Sequence, residues 1–298
     1  MSLRKVKKCF VKLLLLCLVF LNFSCDYGLS QFLSRADSLG DRIISLNNTD
    51  LPSPTTEDSY SVAIITDVHF GGKSRLGHPD DKFLSYIQEN KDSEKIKFVI
   101  CLGDIVEHGW EEEYKEYASF VQKIESILGE KTVYTTVGNH DLYNNGWQFW
   151  KKYVNTEFLL DSSFFTFKTK NFYWYFIDSA SGTLGSSQFK YLKSKMQNDE
   201  GPKLVFSHYP VYAGGGYKGD YFTMQNSDET SRLIALCDST DTKLFNCGHT
   251  HRAQVSNFGS FSEINYPGFL SKNKWGLLKI DETNCTVEFE NEITYTGE

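Results

Sequence analysis

Five short clusters in this sequence hold residues of the type that bind divalent metal ions. They are Asp67-Val68-His69, Gly103-Asp104, Gly138-Asn139-His140-Asp141, Ser207-His208 and Gly248-His249-Thr250-His251, and they take five of the seven histidines. Imidazole and carboxylate donors suit divalent transition metals, whereas thiolates would point to structural zinc or an iron–sulfur cluster. Taken singly, each cluster is more often structural than functional, and Asn-His-Asp is also a common turn. All five together supply enough ligands for two adjacent ions.

The spacing carries its own expectations. Residues i and i+2 of an extended segment point the same way, so Asp67 and His69 should converge on one ion. His249 and His251 should face one side by the same rule. Gly103, Gly138 and Gly248 should let the backbone turn sharply beneath the metals. Asn139 offers a neutral amide among these donors, and as a ligand it would lower the negative charge that resists an anionic substrate.

Strand and helix signals alternate so as to deliver these clusters at strand ends. Strands are expected at 61–66, 97–102, 132–137, 204–206 and 244–246, with two aromatic-rich strands in 163–177 around the Lys168-Thr169-Lys170-Asn171 turn. Helical periodicity marks 80–89, 111–128, 186–196 and 229–238, the second opening on three acids as a helix N-terminus prefers. From 253 to 294 the pattern changes to alternating short strands. Strand–helix alternation with a strand-rich end implies an α/β fold with a mixed sheet or two packed sheets.

Composition bounds the partners. The formal charge is −7, and leaving out residues 1–24, which hold five cations and no acid, takes it to −12. No Lys/Arg stripe offsets that balance, so no long nucleic acid is expected as a partner. Residues 1–24 read as a signal peptide: a basic start, then an apolar run at 13–21 too short to span a bilayer. Ser24-Cys25 resembles a bacterial lipoprotein cleavage site, with Cys25 as the lipidated first residue, although Asn22 sits where such sites usually carry an aliphatic side chain. The expected organisation is therefore signal 1–24, tether 25–58 and one catalytic domain 59–298 in an exported, membrane-anchored lipoprotein. Cys101, Cys237, Cys247 and Cys285 form no close-spaced pair and read as reduced thiols.

In their order the five clusters resemble the calcineurin-like metallophosphoesterase superfamily, whose signature runs D-x-H, G-D, G-N-H-[DE], a lone H, then G-H-x-H. The resemblance covers about residues 61–252 and fills every ligand position. It implies a two-sheet mixed β sandwich flanked by helices, a four-layer αββα fold with a dinuclear centre at the strand ends. Asp67, His69 and His251 would hold one metal, Asn139, His208 and His249 the second, and Asp104 would bridge them. The cofactors would be two divalent ions from the manganese, iron and zinc group. His140 would be the outer-sphere acid, oriented by Asp141. The implied reaction is hydrolysis of a small phosphomonoester or phosphodiester by a metal-bridging hydroxide, His140 protonating the departing alkoxide.

Departures from related subgroups narrow the type. Purple acid phosphatases place a tyrosine three residues after the bridging aspartate, where this chain has Glu107, so no tyrosinate–iron centre is expected. Protein Ser/Thr phosphatases carry Asp-Arg-Gly where this chain has Glu107-His108-Gly109. Bacterial phosphodiesterase-like members fit better. Two alternatives stay open at this point: a nuclease of the same superfamily, and a surface lipoprotein that keeps the metals but only binds. Loops near 76–80, 147–153 and 212–221 are the candidates for reading the leaving group.

Overall fold

The computed structural model describes residues 38–43, 46, 49–154, 162–215 and 222–289. Its first sheet has the order β11-β10-β1-β2-β3. In it β1 (Ser59–Ile65) lies parallel to β2 (Ile96–Cys101), which lies parallel to β3 (Val133–Thr135). The hairpin β10 (Gly276–Asp281) and β11 (Thr286–Phe289) closes that sheet antiparallel to β1. The second sheet has the order β4-β5-β6-β7-β9-β8, built from β4 (Phe165–Lys168), β5 (Tyr173–Phe176), β6 (Lys203–Phe206), β7 (Thr242–Cys247), β8 (Gln254–Asn257) and β9 (Ser262–Asn265).

Alternation along the strands builds the layers. On β1, Tyr60, Val62 and Ile64 enter a core shared with Phe167, Trp174, Phe176 and Phe206 of the other sheet, while Ala63 and Ile65 face helices. The helices over the first sheet are α2 (Asp80–Asn90), α3 (Glu111–Leu128) and α4 (Trp147–Tyr153). Over the second sheet lie α5 (Gly185–Asn198) and α6 (Ser227–Ser239), whose Phe189, Leu192, Leu233 and Leu236 pack on Tyr175, Val205 and Phe245. Both faces of each sheet are therefore buried, which is why these strands read as near-continuous apolar runs. The expected four-layer αββα sandwich is the one observed.

Part of the segment expected to be a tether packs on the second sheet and its helices. After α1 (Leu39–Arg42), the fully buried Arg42 guanidinium donates from Nε to Asp178 Oδ2 at 2.7 Å and from Nη2 to Asp178 Oδ1 at 3.0 Å. Thr49 and Leu51 then exchange backbone hydrogen bonds with Thr166, laying the chain along the open side of edge strand β4. An uncovered edge invites unwanted pairing, and this segment covers it. Described residues before 59 thus make buried contacts with the rest of the fold. Two other expectations resolve as structure: Trp147 and Trp150 belong to the core, which removes 147–153 from the substrate loops, and Cys101, Cys237, Cys247 and Cys285 are free thiols.

Candidate metal centre

The expected convergence occurs, but by a different backbone. Asp67 and His69 lie beyond the end of β1 in left-handed conformation, with φ of 55° and 50°. Asp104, His249 and His251 share it, at 50°, 68° and 55°. The extended-strand argument is therefore corrected: the side chains meet where left-handed residues at alternate positions curl the loops at the sheet ends. Asp and His tolerate this region better than most residues. Such conformations cost on the order of 1–3 kcal/mol each and persist where the surroundings enforce them. Of the three glycines expected to turn, only Gly103 has positive φ, at 89°. A Cβ on Gly138 would instead sit 2.2 Å from the Asp104 backbone nitrogen, so that glycine is required by close approach.

Two ligand sets form at the centre. Asp67, His69 and His251 offer one donor atom each within 4.8 Å of one another, and so do Asp104, His208 and His249. In the first set, Nε2 of His69 faces Nε2 of His251 at 3.4 Å, and Oδ1 of Asp67 lies 3.0 Å from the latter. That oxygen is buried and makes no hydrogen bond, while Oδ2 is occupied by Thr66 Oγ1 and the His249 N–H. In the second set, Nε2 of His208 lies 3.2 Å from Asp104 Oδ2, from Nδ1 of His249 and from Oδ1 of Asn139.

Hydrogen bonds aim the donors. Nδ1 of His208 faces the Leu102 carbonyl oxygen at 2.8 Å, so that nitrogen carries the proton and Nε2 is left for a ligand bond. Asn139 donates from Nδ2 to Tyr143 Oη, which turns its carbonyl oxygen inward. His249 stacks on Tyr209 with centroids 3.9 Å apart.

Charge balance shows what the pocket is built to hold. Burial resists ionisation of Asp104, yet His208 and His140 beside it hold its carboxyl well below the usual range. Burial likewise resists protonation of His208 and His69, but Asp104 holds the first, and Glu107 with Asp104 the second, up at about 9. In these groups protons stand where metal cations would, and metal binding releases such protons. Buried carboxylates, inward imidazoles and an orphaned oxygen fit divalent ions of mixed N/O preference.

Asp141 is placed differently from expectation, and Glu107 enters the site although no role was assigned to it. Asp141 was expected to orient His140; its carboxylate instead accepts from the N–H groups of Asp104, Ile105, Val106 and Gly138. It fastens the Gly103-Asp104 loop to the Asn139 loop. Burial and the neighbouring Asp104 charge raise its pKa, and those N–H donors oppose the rise. Nδ1 of His140 faces the Glu107 carbonyl oxygen at 2.8 Å. Glu107 Oε2 approaches Nδ1 of His69 to 2.7 Å, close enough for an ion pair. His69, Glu107 and His140 form a third group with metal-ligand proximity. Its position three residues after Asp104 was the available signal for Glu107. His108 is explained structurally: it pairs with Glu113 at 2.7 Å and stacks on Trp110.

A sequence model of the calcineurin-like phosphoesterase family matches residues 60–253. The chain belongs to that family. It is a metal-dependent phosphoester hydrolase, and the match contains all five clusters. A Colwellia psychrerythraea protein named "Probable cyclic nucleotide phosphodiesterase" is 25% identical over 246 residues, covering 80% of this chain and 86% of its own. Among solved structures, a dimetal phosphatase from Danio rerio superposes with a TM-score of 0.55 at 14% identity, covering 75% of this chain and 93% of that one. The purple acid phosphatase of yellow lupin (Lupinus luteus) seeds gives 0.57 at 12% identity, covering 80% and 54%. At such identities the structural likeness is one of fold.

Proposed function

We propose that this chain hydrolyses a small phosphodiester at a dinuclear metal centre, with cyclic nucleotides the first class to assay. The observation that supports it most is the convergence of two separate donor sets, Asp67/His69/His251 and Asp104/His208/His249. Asp67, His69 and His251 would hold one ion; Asn139, His208 and His249 the other; Asp104 would serve both. When bound, two such ions supply Lewis acidity and an activated hydroxide. The chain's own residues do the rest. His140, its Nδ1 committed to the Glu107 carbonyl, presents Nε2 to the leaving oxygen as general acid. Asp141 keeps the loops carrying Asp104 and Asn139 in register. The name of the Colwellia relative supports the diester over the monoester.

The test is hydrolysis of bis(p-nitrophenyl) phosphate by manganese-loaded protein, followed by a panel of cyclic nucleotides, nucleotides, sugar phosphates and glycerophosphodiesters. Turnover that Asp104→Asn abolishes supports the reading. Metal uptake with no turnover on any of these would overturn it in favour of a binding protein.

We also propose that the domain is exported and held at a membrane surface by lipid on Cys25. The support is the basic, apolar, Ser-Cys order of residues 1–25, which lie outside the described residues. Among the described residues no helix is long and apolar enough to cross a membrane. The acidic domain would be repelled by anionic lipid, so a linker between Cys25 and α1 has a physical use.

A further inference from the structure

A cavity of about 470 Å³ opens beside the proposed general acid. His69, His140, His251 and Glu107 form its floor. A leaving group protonated by His140 must depart into this space, so its lining reads that leaving group. Volumes of this order suit small ligands.

The wall of the cavity comes from the loop that follows Asp67-Val68-His69, and it carries Lys73 and Arg75. That loop is pinned at both ends to the metal-ligand segment. The Gly72 N–H donates to the His69 carbonyl at 2.9 Å, and Nε2 of His78 meets the Val68 carbonyl at 3.0 Å. The His78 ring stacks on Phe70, with centroids 4.3 Å apart. The excursion between the pins is short, so the two cations are held at the mouth. Neither makes a hydrogen bond or ion pair among the described residues. Glu107, the carboxylate in the same cavity, turns to His69.

Two uncommitted cations beside the acid, in a chain of net charge −7, make this spot locally positive. Two divalent ions held by the donor sets would balance the charge of the scissile phosphate and of Asp67 and Asp104. They leave nothing to answer an anion on the far side of the leaving oxygen. Resting on the phosphoesterase reading above, we propose that Lys73 and Arg75 favour, among phosphodiesters, those whose leaving group carries a second anionic group, a phosphate or a carboxylate, over cyclic nucleotides, whose one charge lies on the scissile phosphate. Exposed Leu76 and buried Leu270 line the same cavity and would cover the apolar part of that group.

The test uses two aryl methyl phosphate diesters that differ only in a para carboxymethyl or para carbamoylmethyl substituent, so that leaving-group basicity is matched and charge is not. The wild-type chain is expected to favour the carboxymethyl ester in kcat/KM by about tenfold, the scale of one charge-assisted hydrogen bond. Lys73→Gln with Arg75→Gln should bring the ratio close to one. Raising the ionic strength should shrink the wild-type ratio, because these side chains are solvent-exposed. A wild-type ratio near one, or a ratio the double variant leaves intact, overturns the proposal while the hydrolase reading stands. No turnover of either ester by metal-loaded protein would overturn the phosphodiesterase reading and this inference with it. A matching ratio for a phosphate-bearing analogue would identify phosphate as an accepted anion, and its absence would restrict the pocket to carboxylates.

Discussion

Oε2 of Glu107 lies 2.7 Å from Nδ1 of His69, while the Glu107 backbone carbonyl meets Nδ1 of His140 at 2.8 Å. One residue thus touches both a proposed metal ligand and the proposed acid, through two different groups. Carboxylates behind a ligating histidine raise its basicity and fix its ring, and losing them typically costs about 10–100-fold in metal affinity. Glu107→Gln should therefore weaken binding of one metal equivalent by that factor. The carbonyl contact to His140 survives the substitution, so kcat at saturating metal should change far less. Calorimetric titration of metal into the stripped protein checks this, and an unchanged affinity would sink the role assigned to the side chain.

Metal stoichiometry follows from the two donor sets. Protein purified without chelator should carry close to two equivalents by elemental analysis, drawn from manganese, iron and zinc. Asp104→Ala removes the carboxylate proposed to serve both ions and should drop occupancy below one equivalent. A clean single equivalent, indifferent to this substitution, would refute the shared-ligand assignment.

What the sequence made legible here was whatever is local. Asp67 with His69, or His249 with His251, sit two residues apart, so residue type and order disclosed them. The helix at Glu111–Leu128 was legible for the same reason, since its acids and apolar spacing lie within one segment. The left-handed curl that makes those ligands converge was not legible, because an Asp or His at positive φ leaves no pattern in neighbouring residues. Nor was the docking of Arg42, whose partner Asp178 stands 136 positions away. Asp141 shows the middle case: the motif named the residue, but only the surrounding backbone showed that its carboxylate braces loops.

For the chemical step, His140→Ala should lower turnover by about 10²–10⁴-fold on substrates with poor leaving groups, as loss of a general acid does. Metal content should stay near that of the parent chain. The defect should shrink for p-nitrophenyl esters, whose leaving group needs little protonation. Equal losses across a series of leaving-group pKa values would show that His140 serves some purpose other than proton donation.

The Arg42–Asp178 pair tests whether the N-terminal segment belongs to the domain. Both side chains are buried, and Ser163 and Ser181 hydroxyls join the pair. Removing one partner leaves an uncompensated buried charge, which costs about 3–5 kcal/mol. Arg42→Ala should therefore lower the Tm by about 10 °C for a domain of this size. A double-mutant cycle with Asp178→Ala should show strong coupling, because the second removal relieves the orphaned charge. A Tm within a degree of the parent would mean that the segment only rests on the surface.

At the N-terminus, the prediction concerns one thiol. If Cys25 is the first residue of the mature chain, mass spectrometry of the purified N-terminal peptide should show cleavage after Ser24 and a mass added by acyl chains. A single short chain holds a protein at a membrane only marginally, so stable anchoring calls for more than one. Cys25→Ser should then release the catalytic domain into the soluble fraction with its hydrolase activity intact, because the described contacts of the domain begin at residue 38. Release of the parent chain with Cys25 unmodified, or cleavage at another residue, would reject lipid anchoring and leave the metal chemistry untouched.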